Sequence, residues 1–154
     1  MTSENPLNDW LFLLGTWKGR SENEFGGEGV VETTSIFSLE LGDNFIHGKS
    51  ESIRNGAVEN QSISIMFYDK RNKRFIRKTF FNYGFVNNEV EFERSKSEIR
   101  FEVVSEPMPQ AFDGMKWRSY IRKISDKEIR MGLEVAKPDE NFSSYGDSIM
   151  VKDS

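Results

Sequence analysis

Trp10-Leu11-Phe12-Leu13-Leu14-Gly15-Thr16-Trp17-Lys18-Gly19 decides how this chain is read. A short apolar turn runs straight into a Gly-x-Trp step, and short strand patterns follow it with no convincing helix among them. Asn8 or Asp9 is placed to cap a helical turn over Trp10 to Leu14, which Gly15 ends. The glycine lets the backbone bend sharply from turn to strand. Trp17 then sets a large indole against the turn, so Trp10, Gly15 and Trp17 read as the structural plug of one end of a small β-barrel.

Ten strand patterns follow, over 16–24, 29–39, 44–54, 58–68, 74–82, 85–94, 98–105, 115–124, 128–136 and 143–152. Turn chemistry separates them. Gly26-Gly27, Leu41-Gly42-Asp43-Asn44 and Asp69-Lys70-Arg71-Asn72-Lys73 each break a run, and Asn55-Gly56 is the strongest hairpin signal. The longest break, Glu106–Gly114 with Pro107 and Pro109, reads as a flexible mouth loop. Connections this short favour an up-and-down meander, and closure removes the exposed edges that so many strands would leave. Alternation sets Ile99, Phe101 and Val103 inward, with Met115, Trp117, Ser119 and Ile121, and Ile129, Met131, Leu133 and Val135. The expected fold is all-β: a single closed antiparallel barrel of ten strands, plugged at the amino end and spanning residues 1–154 as one domain.

Composition narrows the function classes. Thirteen Phe, three Trp and four Tyr carry the apolar mass, which suits sheets. A net charge of -4 argues against a nucleic-acid partner, which needs a basic surface. The absence of cysteine excludes disulfides, thiolate nucleophiles and Cys-based metal sites. No apolar run approaches the ~18 residues of a membrane span. The start, Met1-Thr2-Ser3-Glu4-Asn5-Pro6, has no basic segment and no apolar h-region, so the expected location is the cytoplasm.

At Leu14-Gly15-Thr16-Trp17-Lys18-Gly19 the chain resembles the lipocalin-like, or calycin, barrels, and within them the bacterial proteins related to nitrobindin and the fatty-acid-binding proteins. The similarity continues at Asn44-Phe45-Ile46-His47-Gly48, at Phe67-Tyr68-Asp69 and from Met115 to Asp126. It implies a ten-stranded barrel around a small-ligand cavity. In nitrobindin-like proteins a histidine near the carboxyl end holds haem. Here that end, Phe142 to Lys152, has none, and only Tyr145 or Met150 is available as an axial ligand. No cofactor is therefore expected.

Several residue sets are candidates for chemistry. His47 is the only histidine; it reads as a hydrogen-bonded structural residue or as a polar group in the cavity, and no metal site is expected around it. Arg118 and Tyr120 share a strand face and could grip a carboxylate, as a similar Arg-x-Tyr pair does in fatty-acid-binding proteins. Against this, Trp117 and Ile121 make the better inward set, which would leave Lys116, Arg118, Tyr120 and Arg122 as an outer stripe paired with Glu134. Glu89, Glu91 and Glu93 read as a solvent-facing stripe, and Lys70 to Arg74 with Arg77-Lys78 as a solvated hairpin tip.

The expected function is non-enzymatic binding of a small hydrophobic or amphipathic molecule, as carrier or sensor. The expected lining comprises Phe45, His47, Ile65, Phe67, Phe80, Phe101, Trp117 and Met131, with Arg118 and Tyr120 as the polar grip. Alternatives are a filled barrel serving as an interaction module, a haem protein, and a cavity enzyme using His47 with Glu51. A homodimer is compatible with an exposed barrel face.

Overall fold

The computed structural model describes residues 5–104 and 114–153. A 3-10 helix over Pro6–Leu13 precedes ten strands. These are β1 (Gly15–Glu22), β2 (Val30–Glu40), β3 (Phe45–Arg54), β4 (Ala57–Asp69), β5 (Arg74–Phe81), β6 (Val86–Arg94), β7 (Glu98–Val103), β8 (Lys116–Ser125), β9 (Glu128–Ala136) and β10 (Ser143–Asp153). Each pairs antiparallel with its neighbour in sequence, and β1 pairs with both β2 and β10, closing the barrel. Between β3 and β4, Asn55 and Gly56 both take positive φ, as a two-residue hairpin requires. Most of the Glu106–Gly114 break lies outside the described residues.

The helix begins earlier than the apolar run suggests. Pro6 fixes φ at its first position, and Asn5 Oδ1 accepts the Leu7 N–H at 3.1 Å, so Asn5 rather than Asn8 or Asp9 is the cap. Leu7, Trp10 and Leu13 turn into the barrel end and are fully buried. Trp17 is buried beside them and donates its indole N–H to the Leu13 carbonyl at 2.7 Å. Lys152 of β10 donates to the Phe12 carbonyl at 3.0 Å, tying the plug to the last strand. Gly15 joins plug to barrel at φ +119, a conformation that L side chains rarely adopt.

Packing divides the interior along the barrel axis. Near the plug, Trp17, Phe37, Ile46, Met66, Phe75, Phe101 and Met150 form one core with the helix. The opposite end receives the 23–29 and 82–85 turns, and there the interior is not filled by core side chains.

Strand phase agrees with the alternation on β7 to β9 and departs from it on β3 to β5. Ile99, Phe101, Trp117, Ile121 and Ile129 are buried inside the barrel. On β3, however, Ile46, Gly48, Ser50 and Ser52 face inward, so Phe45 and His47 lie on the outer face. On β4, Ser62, Ser64 and Met66 face inward and put Ile63, Ile65 and Phe67 outside. On β5, Phe75, Arg77, Thr79 and Phe81 face inward, and Phe80 is 42% exposed. The expected inward phase of Phe45, His47, Ile65, Phe67 and Phe80 is therefore corrected. Register explains why these residues tolerate the outside. Phe45 pairs with Phe67, which pairs with Ile76, and Ile63 pairs with Phe80, so the outer apolar side chains cover one another across strands. The Phe45 and Phe67 rings lie 5.4 Å apart.

Candidate functional site

The inverted phase of β3 and β4 leaves room inside the barrel. A cavity of about 550 Å³ occupies the end away from the plug, with Leu13, Ile46 and Met150 toward its floor. One wall carries hydroxyls in cross-strand register. Ser35 pairs with Ser50, which pairs with Ser62; Thr33 pairs with Ser52, which pairs with Asn60. Ser35 and Ser50 hydroxyls share a hydrogen bond at 2.7 Å, and Thr33 and Ser52 share one at 2.9 Å. Trp117, Ile121, Met131 and Leu133, from β8 and β9, make an apolar wall.

Aromatic residues ring the mouth. Phe81 stacks on Phe85 at 4.9 Å, Tyr83 stacks on Phe85 at 6.2 Å, and Trp117 meets Tyr145 edge-on at 5.1 Å. The Tyr83 hydroxyl donates to the Glu59 carbonyl. Phe25 reaches the cavity from the β1–β2 turn with φ 58, a left-handed backbone that is unusual for a bulky residue. That strain is held from two sides. The Phe25 N–H bonds to the Tyr145 carbonyl at 3.1 Å, and its ring fills the space that a Cβ on Gly146 would enter at 2.6 Å. Arg54 donates to the Glu24 carbonyl at 2.9 Å, the Glu28 carbonyl at 3.1 Å and the Glu59 carboxylate at 2.7 Å, pinning the turn to β3 and β4.

The most unusual feature of the wall is a buried ion pair. Arg77 grips Glu89 with two hydrogen bonds of 2.8 Å, one from Nε and one from Nη2. Nη2 also donates to the Ser119 hydroxyl at 2.8 Å. Ser119 and Thr79 each donate to Glu89 at 2.9 Å, and the Arg77 guanidinium lies 4.7 Å from the centre of the Phe101 ring. Burial pushes the Glu89 carboxyl upward, but the adjacent Arg77 charge and the bonds from Arg77, Ser119 and Thr79 outweigh it and hold the group below its ordinary range. Glu89 is thus favoured as a carboxylate bound to its counter-ion Arg77. This corrects the solvent-facing reading of Glu89 and the hairpin-tip reading of Arg77.

Of the residues expected to line the cavity, Trp117 and Met131 do so. Phe101 faces inward but belongs to the packed core beneath. Phe45, His47, Ile65, Phe67 and Phe80 are on the outer face. Arg118 and Tyr120 are outside as well. Arg118 bonds Glu102 at 2.9 and 3.2 Å and lies over the Phe142 and Phe92 rings, and the Tyr120 hydroxyl donates to Asp147 at 3.3 Å. The carboxylate grip is therefore not built inside the barrel. Glu134 sits opposite Arg118 in the β8–β9 register, as expected, and its carboxylate bonds Arg100. His47 and Glu51 share the outer face of β3, where Glu51 accepts from Gln61 at 2.9 Å, so they supply no acid–base pair to the cavity. Of the two residues of β10 considered as axial ligands, Tyr145 lies at the cavity mouth against Trp117, and Met150 lies where the core meets the cavity floor.

Two signals in the sequence mark this site. Thr33 and Ser35, Ser50 and Ser52, and Ser62 and Ser64 are hydroxyl pairs at spacing two on three successive strands. Arg77 and Glu89 are equidistant from Tyr83, so the hairpin that turns there sets them opposite each other.

Fold and cavity together define a closed ten-stranded antiparallel barrel around an internal cavity. Solved structures of this shape include Rv2717c from M. tuberculosis, with a TM-score of 0.73 and 15% identity over 99% of this chain and 100% of that one. They also include the S-type phycobiliprotein lyase CPES from Guillardia theta, with a TM-score of 0.63 and 10% identity over 98% and 94%. At these identities the likeness is one of fold. No protein-family model and no curated protein sequence matches the chain. Among the described residues, no helix is long and apolar enough to cross a membrane.

Proposed function

We propose that this protein binds a small amphipathic molecule inside its barrel, as a carrier or sensor and without catalysis. The observation that carries this reading is the cavity of about 550 Å³ with a hydroxyl wall facing an apolar one. A barrel serving only as an interaction module has no need to turn serines inward and isoleucines outward on adjacent strands; a packed interior would serve it better. Cavities of this size and lining suit a drug-sized organic molecule.

Mass spectrometry of freshly purified protein, first native and then denatured, tests the proposal. A discrete organic mass that leaves on unfolding supports it. A porphyrin mass, with a Soret band that survives desalting, supports the nitrobindin-like alternative. An empty protein that no neutral amphipath stabilises against heat counts against both.

A further inference from the structure

The charges around the cavity balance locally, and this bears on what can enter. The described lining residues include three with charged side chains: Glu59, Arg77 and Glu89. Glu59 is bonded to Arg54 at 2.7 Å, and Arg77 to Glu89 at 2.8 Å. A carboxylate or sulfonate entering the barrel would lose its water and meet no unpaired cation among these residues. To take Arg77 it would have to displace Glu89, leaving that buried carboxylate unpaired. The rest of the polar wall is uncharged: serine, threonine and tyrosine hydroxyls with the amides of Asn60 and Asn87. Hydroxyls rotate to donate or accept and match uncharged groups such as alcohols, amides and arylamines.

Resting on the reading of this cavity as a ligand site, we infer that it selects an uncharged ligand, whose hydrogen-bonding edge lies along Ser50, Ser62 and Ser64 while its apolar side packs on Trp117, Met131 and Leu133. Fatty acids and other organic anions are excluded by the wall rather than gripped by it. The barrel so described is the reverse of one built around an Arg–Tyr carboxylate clamp.

Two fluorescent probes isolate the charge. N-phenyl-1-naphthylamine and 8-anilinonaphthalene-1-sulfonate share one ring system, and the second adds a sulfonate. Titration of the intact protein with each should give an affinity for the neutral probe stronger by roughly tenfold or more, the cost of burying an unpaired anion. In Glu89→Gln, Arg77 loses its counter-ion and the ratio of the two affinities should shift toward the anionic probe. Should that variant fail to fold, the wild-type ratio still decides. Equal affinities for the two probes in the wild type would overturn the selection while leaving the cavity a binding site. Binding of neither probe would overturn the cavity reading and the selection together.

Discussion

The walls made by β7–β9 and by β2–β5 use the same pleat in opposite senses. On β7–β9, Ile99, Phe101, Trp117 and Ile121 point inward, while the outer face is laced by Arg100 with Glu98, Arg118 with Glu102 and Arg122 with Glu98. On β2–β4, Thr33, Ser35, Ser50, Ser52, Ser62 and Ser64 point inward, while Ile36, Ile63 and, on β5, Phe80 are exposed. The first wall follows the rule that apolar side chains seek the core. The second breaks it where its hydroxyls line the cavity opposite the apolar residues of β8 and β9. In this barrel a hydrophobic phase and a hydroxyl phase thus meet across one cavity, and only the first is what core packing alone would choose.

The largest expected effects come from the polar lock inside the barrel. Arg77→Met leaves Glu89 buried and unpaired and should cost about 3–5 kcal/mol in urea unfolding. The double variant Arg77→Met with Glu89→Leu should recover most of that loss. The pair also sets a pH dependence. Glu89 is held below its ordinary range in the folded protein, so its contribution is present above that range and is lost as the pH falls toward the folded value. The stability of the wild type relative to the double variant should therefore decline in acid below about pH 4.

On the conventional wall, Ile121→Ala truncates a buried side chain where the core meets the cavity and should cost about 2–5 kcal/mol. Ile63→Thr, a change of similar character on the inverted strand β4, lies on the outside and should fall within about 0.5 kcal/mol of the wild type. If Ile63→Thr proved as damaging as Ile121→Ala, the phase inversion would be refuted. Smaller still is Arg118→Gln. It breaks a partly exposed pair with Glu102 and should cost about 0.2–1 kcal/mol, diminishing with added salt, with no change in probe binding.

The architecture was legible in the sequence because its signals are local. Gly15 before Trp17, the Asn55-Gly56 turn and the regular spacing of breaks each report on a few neighbouring residues, and the ten strands fall within a residue or two of the expected bounds. The site was less legible because it depends on phase and on pairing between strands. Phe45 and Phe67 look like core residues in isolation; only the register that sets them side by side shows how they are covered on the outside. Arg77 and Glu89 look like surface charges, and nothing within either strand shows that β5 and β6 bring them together inside. The serine pairs were visible, but hydroxyls at alternate positions read as a solvated face unless a cavity is already known.

The central claim, that the hydroxyl wall and not the outer Arg118 stripe meets the ligand, is tested most directly by NMR titration of the isotope-labelled protein with N-phenyl-1-naphthylamine. Saturable shifts concentrated at Ser50, Ser62, Ser64, Trp117 and Met131 are expected, with Arg118, Phe45 and His47 moving little. Shifts centred on Arg118, Phe45 and His47, with the serine rows unmoved, would contradict it.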